Sequence, residues 1–118
     1  MSVQSIAERV DTEPSEWETE QLPNVHPGDV LRLDFLEPMG ISPYRLAKDI
    51  GVSASRVGDI LLRRRAVSAD TALRLAYYFG TSARLWLNLQ AAYDLEEAER
   101  QNTPLYQQIQ EASRLRAA

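Results

Sequence analysis

The stretch that decides the fold is Ser42–Leu62, SPYRLAKDIGVSASRVGDILL. Ser42 suits a helix N-cap, because its hydroxyl can accept one of the amide hydrogen bonds that a helix start leaves unpaired. Pro43 follows at the first helical position, where a missing N–H costs nothing. Leu46, Ala47 and Ile50 recur at helical spacing and make one apolar stripe. Gly51 ends this helix, since glycine takes the left-handed conformation without a Cβ clash. Val52 plugs the corner, Ser53 caps a second helix, and Val57, Ile60 and Leu61 supply its buried face. Ala47 is small where the two helices would cross closely.

Two short capped helices around a glycine turn make a helix-turn-helix. With the apolar positions of both helices facing each other, Ser55, Arg56 and Asp59 are left pointing outward. An outward row at the start of a second helix is the part that enters a DNA major groove. Arg56 is the strongest candidate for reading a base, because a guanidinium can bridge guanine O6 and N7. Ser55 can bond a base edge or a phosphate. Asp59 can accept from cytosine N4, or can orient Arg56 three residues earlier. Arg45, Lys48, Ser53 and the run Arg63-Arg64-Arg65 are expected at phosphates, which set register and supply affinity.

A net charge of −4 argues at first against nucleic acid, but distribution matters more than the sum. Residues 42–66 hold six basic residues against two acids, a net +4, whereas residues 1–24 hold one arginine against six acids, a net −5. The chain is therefore polarised into an acidic head and a basic middle. Residues 1–24 read as an acid-rich, partly disordered extension, with Ser5–Val10 able to form a helical turn and Trp17 as its one aromatic anchor. Residues 25–100 read as the folded domain and residues 101–118 as a helical tail.

Outside the motif the periodicity gives three more helices and the tail. Pro27, Gly28 and Asp29 suit a helix start, with Pro38 and Gly40 stopping it. His26, the one histidine, reads as a helix-start or surface residue. Ser68 and Asp70 open a fourth segment whose apolar side is Ala72, Leu73, Leu75, Ala76 and Phe79, with Gly80 at its end. Tyr77 and Tyr78 read as rim packing. Thr81 or Ser82 caps a fifth helix whose apolar residues cover more than one stripe, which implies a second buried contact. Leu85, Trp86, Leu89 and Tyr93 are accordingly expected at a homodimer interface. Thr103 and Pro104 look like the cap and first position of a last helix carrying Leu105, Tyr106, Ile109 and Leu115.

No enzyme constellation is visible. Cysteine is absent and histidine single, so no Cys–His pair, disulfide or histidine metal cluster can form. No phosphate-cradling glycine loop is present, and neither a cofactor nor a metal is expected. No apolar run is long enough to span a bilayer and no signal-peptide pattern opens the chain, so a cytoplasmic protein with no membrane partner is expected.

Three segments carry a family resemblance: HPGDVLRLDFLEPMGIS, YRLAKDIGVSASRVGDIL and ADTALRLAYYFGTSARLWLNLQAAYDL. They closely resemble the HigA-type antitoxins of the XRE (Cro/C1 phage-repressor) helix-turn-helix group. The match covers about residues 25–95, and the run around Trp86-Leu87-Asn88-Leu89-Gln90 separates this family from generic phage repressors. The resemblance implies an all-α, five-helix lambda-repressor-like domain that forms a homodimer, binds double-stranded operator DNA and represses its own operon. It also implies a HigB-like toxin partner, a basic RelE-fold mRNA endonuclease, for which the acidic head suits. Repressors of this group often place a phosphate-contacting glutamine where this chain has Pro43. Its arginine run is also heavier than the usual asparagine–glycine turn. The competing readings are a stand-alone XRE-family transcriptional regulator without a toxin and a protein-interaction module that no longer touches DNA.

Overall fold

The computed structural model describes residues 23–117. The expected helical turn at Ser5–Val10 and the role of Trp17 lie outside the described residues. Among those described the architecture is all-α, with five helices in the expected order. Helix α1 is composite: an α-helical turn Pro27–Val30, a π-helical segment Leu31–Leu36 and a last turn Glu37–Met39. Helices α2 (Pro43–Ile50) and α3 (Ala54–Leu61) form the helix-turn-helix. Helix α4 (Ala69–Phe79) and the long α5 (Ala83–Ala117) complete the set.

Each start is capped as the side-chain chemistry dictates. Ser42, Ser53, Ser68 and Ser82 accept from the amides of Arg45, Arg56, Thr71 and Leu85. Gly51 and Gly80 end α2 and α4 at φ 74°. Pro38 does not stop α1. The widened π turn precedes it, at the place where a proline ring would otherwise meet the carbonyl four residues back. The helix ends instead at left-handed Gly40.

The core gathers Val30, Leu31 and Leu36 of α1, Leu46, Ala47 and Ile50 of α2, Val57 and Ile60 of α3, and Ala72 and Leu75 of α4. Trp86 and Leu89 of α5 stand at its centre. The Trp86 ring lies 5.2 Å from Phe35, which lies 4.9 Å from Phe79. The Trp86 indole donates to the hydroxyl of Thr81 at 2.9 Å, so the buried ring keeps no orphan donor. Leu73, expected on the apolar side of α4, is half exposed, and Tyr77 stands in solvent rather than packing on the rim. Tyr78 does pack, and its hydroxyl donates to Asp49.

The expected last helix is not separately capped. Helix α5 is interrupted at Asn102, whose backbone is non-helical (φ −129°, ψ 15°), and the expected last helical stretch follows with Pro104 near its start. The Thr103 hydroxyl donates back to the Glu99 carbonyl instead of capping a new start. From Glu99 onward every described residue is exposed.

His26 is the helix start that was expected, yet it is buried rather than on the surface. Its Nδ1 accepts from Gly28 N at 2.9 Å, and its own amide donates to Asp29 Oδ2 at 3.0 Å, a reciprocal capping box. The ring meets Tyr93 edge-on at 4.7 Å. Burial lowers its pKa below the usual 6.5, with Arg63 adding to the effect and Asp29 opposing it. The unfolded chain therefore takes up this proton at higher pH than the folded one. Stability should be full above pH 6.5 and fall as the pH drops below it, levelling once the folded imidazole is charged. Urea unfolding between about pH 7 and 5 measures this, and His26→Asn, which keeps a capping side chain, should flatten the slope. A wild-type profile with no slope in that range contradicts the assignment.

Candidate nucleic-acid interface

The presentation of α3 is set from behind by α1. A Cβ on Gly28 would lie 2.1 Å from the Ile60 carbonyl oxygen, so only glycine lets the first turn of α1 rest on the last turn of α3. That last turn closes with Arg64 N on Asp59 O at 2.8 Å and Arg63 N on Ile60 O at 3.1 Å, a Schellman pairing. The left-handed residue in this turn is Arg63, at φ 63°, where glycine is usual. Its guanidinium clasps Asp29 through Nε at 3.1 Å and Nη2 at 2.8 Å. Asp29 thus serves the α1 capping box and the end of the recognition helix together.

Arg63, expected at a phosphate, is engaged by a carboxylate of its own domain. Its side chain, still 44% exposed, makes a two-pronged ion pair with a carboxylate that is only 11% exposed. Arg64 and Arg65 follow on the open surface. Arg45 and Lys48 are exposed on α2, and Arg45 Nε bonds both Asp49 oxygens, at 3.1 and 2.9 Å. Asp49 holds its charge to lower pH than an ordinary aspartate, first through the Tyr78 hydroxyl and then through Arg45. Ser53 and Ser55 sit at the exposed start of α3 with their hydroxyl oxygens 3.3 Å apart. Asp59 is partly exposed one turn further on.

Arg56 is in the same outward row but does not pair with Asp59. Its Nη1 lies 3.6 Å from Asp70 Oδ2, at the start of α4. Asp70 also takes Arg74 Nε at 2.8 Å, and Arg74 Nη1 donates to the Ile50 carbonyl at 2.7 Å, in the turn of the motif. Sequence reasoning treated Asp70 only as a helix opener and passed over Arg74. The i,i+4 spacing could have paired those two, but nothing local links either to Arg56. Gln90 was likewise missed as a buried strut. It accepts from Val67 N at 2.8 Å and donates to Asp94 at 2.9 Å, fixing the loop behind α3 to α5.

Two of the four expected dimer residues, Trp86 and Leu89, need correction. Trp86 and Leu89 are fully buried in the protomer's own core, so neither has surface to offer a partner. Leu85 packs against that core, and Tyr93 lies on His26. The extra apolar residues of α5 meet α1 and α4 within one chain. The large apolar side chains left exposed on this part of α5 are Leu87 and Leu95.

An all-α bundle that presents a capped helix-turn-helix, with Arg56 on the outer side of its second helix and Arg64 and Arg65 exposed just beyond it, is a protein of the phage-repressor class. A helix-turn-helix family model matches residues 34–86. Virulence-associated protein I of Dichelobacter nodosus is 52% identical over 79 residues, 67% of this chain and 73% of that one. Antitoxin HigA-1 of Vibrio cholerae is 33% identical over 94 residues, 74% of this chain and 89% of that one. The structure of Pseudomonas aeruginosa antitoxin HigA with the higBA promoter superposes with a TM-score of 0.69 at 45% identity, covering 71% of this chain and 91% of the other. The chain belongs to the HigA-type antitoxins of the XRE helix-turn-helix family.

The Arg63 clamp makes a prediction opposite to that of a phosphate contact. Arg63→Ala loses the ion pair and leaves a strained backbone, and should cost about 1–3 kcal/mol in urea unfolding. Arg63→Gly, which relieves the backbone, should cost less. The salt slope of DNA binding should stay unchanged in both. A slope reduced by about one with stability untouched would restore the phosphate role.

Proposed function

We propose that this chain is the antitoxin of a HigBA-like pair: a homodimeric autorepressor that reads operator DNA with α3 and neutralises a HigB-like, RelE-fold mRNA endonuclease. The observation that carries the reading is the first turn of α3, where exposed Ser55 and partly exposed Arg56 stand on the outer side of a helix locked at both ends by the fold. Relatives solved on their own promoter or operator DNA support it. In this reading Arg56 bridges guanine O6 and N7, Ser55 bonds a base edge, and Asp59 accepts from cytosine N4. Arg45, Lys48, Ser53, Arg64 and Arg65 meet phosphates, and the Ser42 and Ser53 ends of α2 and α3 add their amides. Pro43 removes one donor from the start of α2, and the exposed Arg64 and Arg65 offset that loss.

One unit reads only a few base pairs, so selectivity calls for two units about 34 Å apart on a pseudo-palindromic site. Leu87 and Leu95 give the exposed apolar side chains for that pairing. The acidic residues 1–24 suit a basic toxin. The chain works by binding, not by catalysis, and its place of action is the cytoplasm. Among the described residues no helix is long and apolar enough to cross a membrane.

Arg56→Ala should cost about 1–3 kcal/mol on the chain's own promoter and little on random duplex. Arg64→Ala should weaken both alike and reduce the salt slope by about one. With 6–10 phosphate contacts per dimer, affinity should fall roughly 10³- to 10⁵-fold between 50 and 200 mM salt. Binding that ignores salt would overturn the repressor reading. Failure to co-purify with the product of the adjacent gene would favour a stand-alone regulator.

A further inference from the structure

The base-reading arginine is not free in this fold, and the residue that holds it lies outside the helix-turn-helix. Arg56 reaches Asp70 of α4 through one nitrogen, Nη1, at 3.6 Å, and its side chain is only 29% exposed. Asp70 is itself fixed, because Arg74 Nε bonds its Oδ2 at 2.8 Å while Arg74 Nη1 donates to the carbonyl of Ile50 at 2.7 Å. The carboxylate behind Arg56 is thus tied to the turn that sets the angle of α3.

We propose that Asp70 is a positioning residue that sets the sequence selectivity of Arg56. The proposal rests on Arg56 as the base reader. A carboxylate on Nη1 alone leaves Nε and Nη2 open, and two parallel donors are what guanine O6 and N7 require. Held from behind, the guanidinium presents that edge without first giving up its rotamer freedom, so the right base gains more. The same carboxylate disfavours the alternative in which Arg56 swings to a phosphate, since that move breaks the pair. Asp70 therefore supports operator binding and suppresses sequence-blind binding through one contact. A pair of this length is weak in water, so it biases Arg56 between its two uses and does not lock it.

Asp70→Asn tests this while keeping an acceptor for Arg74, so the turn is retained. Binding of the full-length chain to its promoter duplex and to a scrambled duplex of the same length gives a selectivity ratio. Asp70→Asn should lower that ratio by about two- to five-fold, mainly by tightening the scrambled complex. Removing a negative charge also tightens all DNA binding, so the decisive arm is the cycle with Arg56→Ala. In the Arg56→Ala background Asp70→Asn should leave the ratio unchanged, and the melting temperature should report an intact fold for every variant. If Asp70→Asn tightens both duplexes by one common factor, Asp70 acts only as a charge and the proposal fails. If Arg56→Ala itself leaves the ratio intact, the base-reading assignment fails first.

Discussion

The DNA-facing surface depends on how closely the first turn of α1 lies on the last turn of α3. Gly28 has no Cβ because the Ile60 carbonyl occupies that space. Asp29, next in the chain, caps its own helix through the His26 amide and grips Arg63 at the end of α3. Four consecutive residues, His26-Pro27-Gly28-Asp29, thereby fix where the second helix of the motif ends. The helix start is fixed separately, by Ser53 and by the packing of Val57 and Ile60. A short helix of eight residues has little stability of its own, so this bracing from both ends is what gives it one orientation.

A second constraint is electrostatic. Each of three arginines near the motif has a carboxylate at short range: Arg45 with Asp49, Arg56 with Asp70 and Arg63 with Asp29. These pairs reconcile an overall charge of −4 with a nucleic-acid surface. The pairs on Arg45 and Arg56 have solvent-exposed partners and are individually weak. The pair on Arg63 is two-pronged and partly buried, and its job is to hold a left-handed turn. The same residue type, a few positions apart, is anchored to a nearly buried carboxylate in one case and to an exposed one in the other.

This division explains what the sequence could and could not tell. Helix starts were legible at Ser42, Ser53 and Ser68, because a cap is a contact across three residues. So were the ends at Gly51 and Gly80, where the glycine itself announces the turn. Arg63 was not legible, because a left-handed arginine carries no local mark and Asp29 lies 34 positions away. Trp86 and Leu89 were placed at an interface because a helix apolar on more than one side shows that it is buried, but not against which chain. The break at Asn102 fell one residue ahead of the expected cap at Thr103. The face bearing Ser55, Arg56 and Asp59 was legible, whereas the pairing of Arg56 with Asp70 depends on where α4 lands.

The most direct test of the central claim is an amide chemical-shift titration of the full-length protein with its promoter duplex. Perturbations are expected over Ser42–Arg45, Ser53–Arg56 and Arg64–Arg65, with the amides around Trp86 and Leu89 unmoved in the core. Perturbations gathered on α5, with the first turn of α3 silent, would contradict that claim.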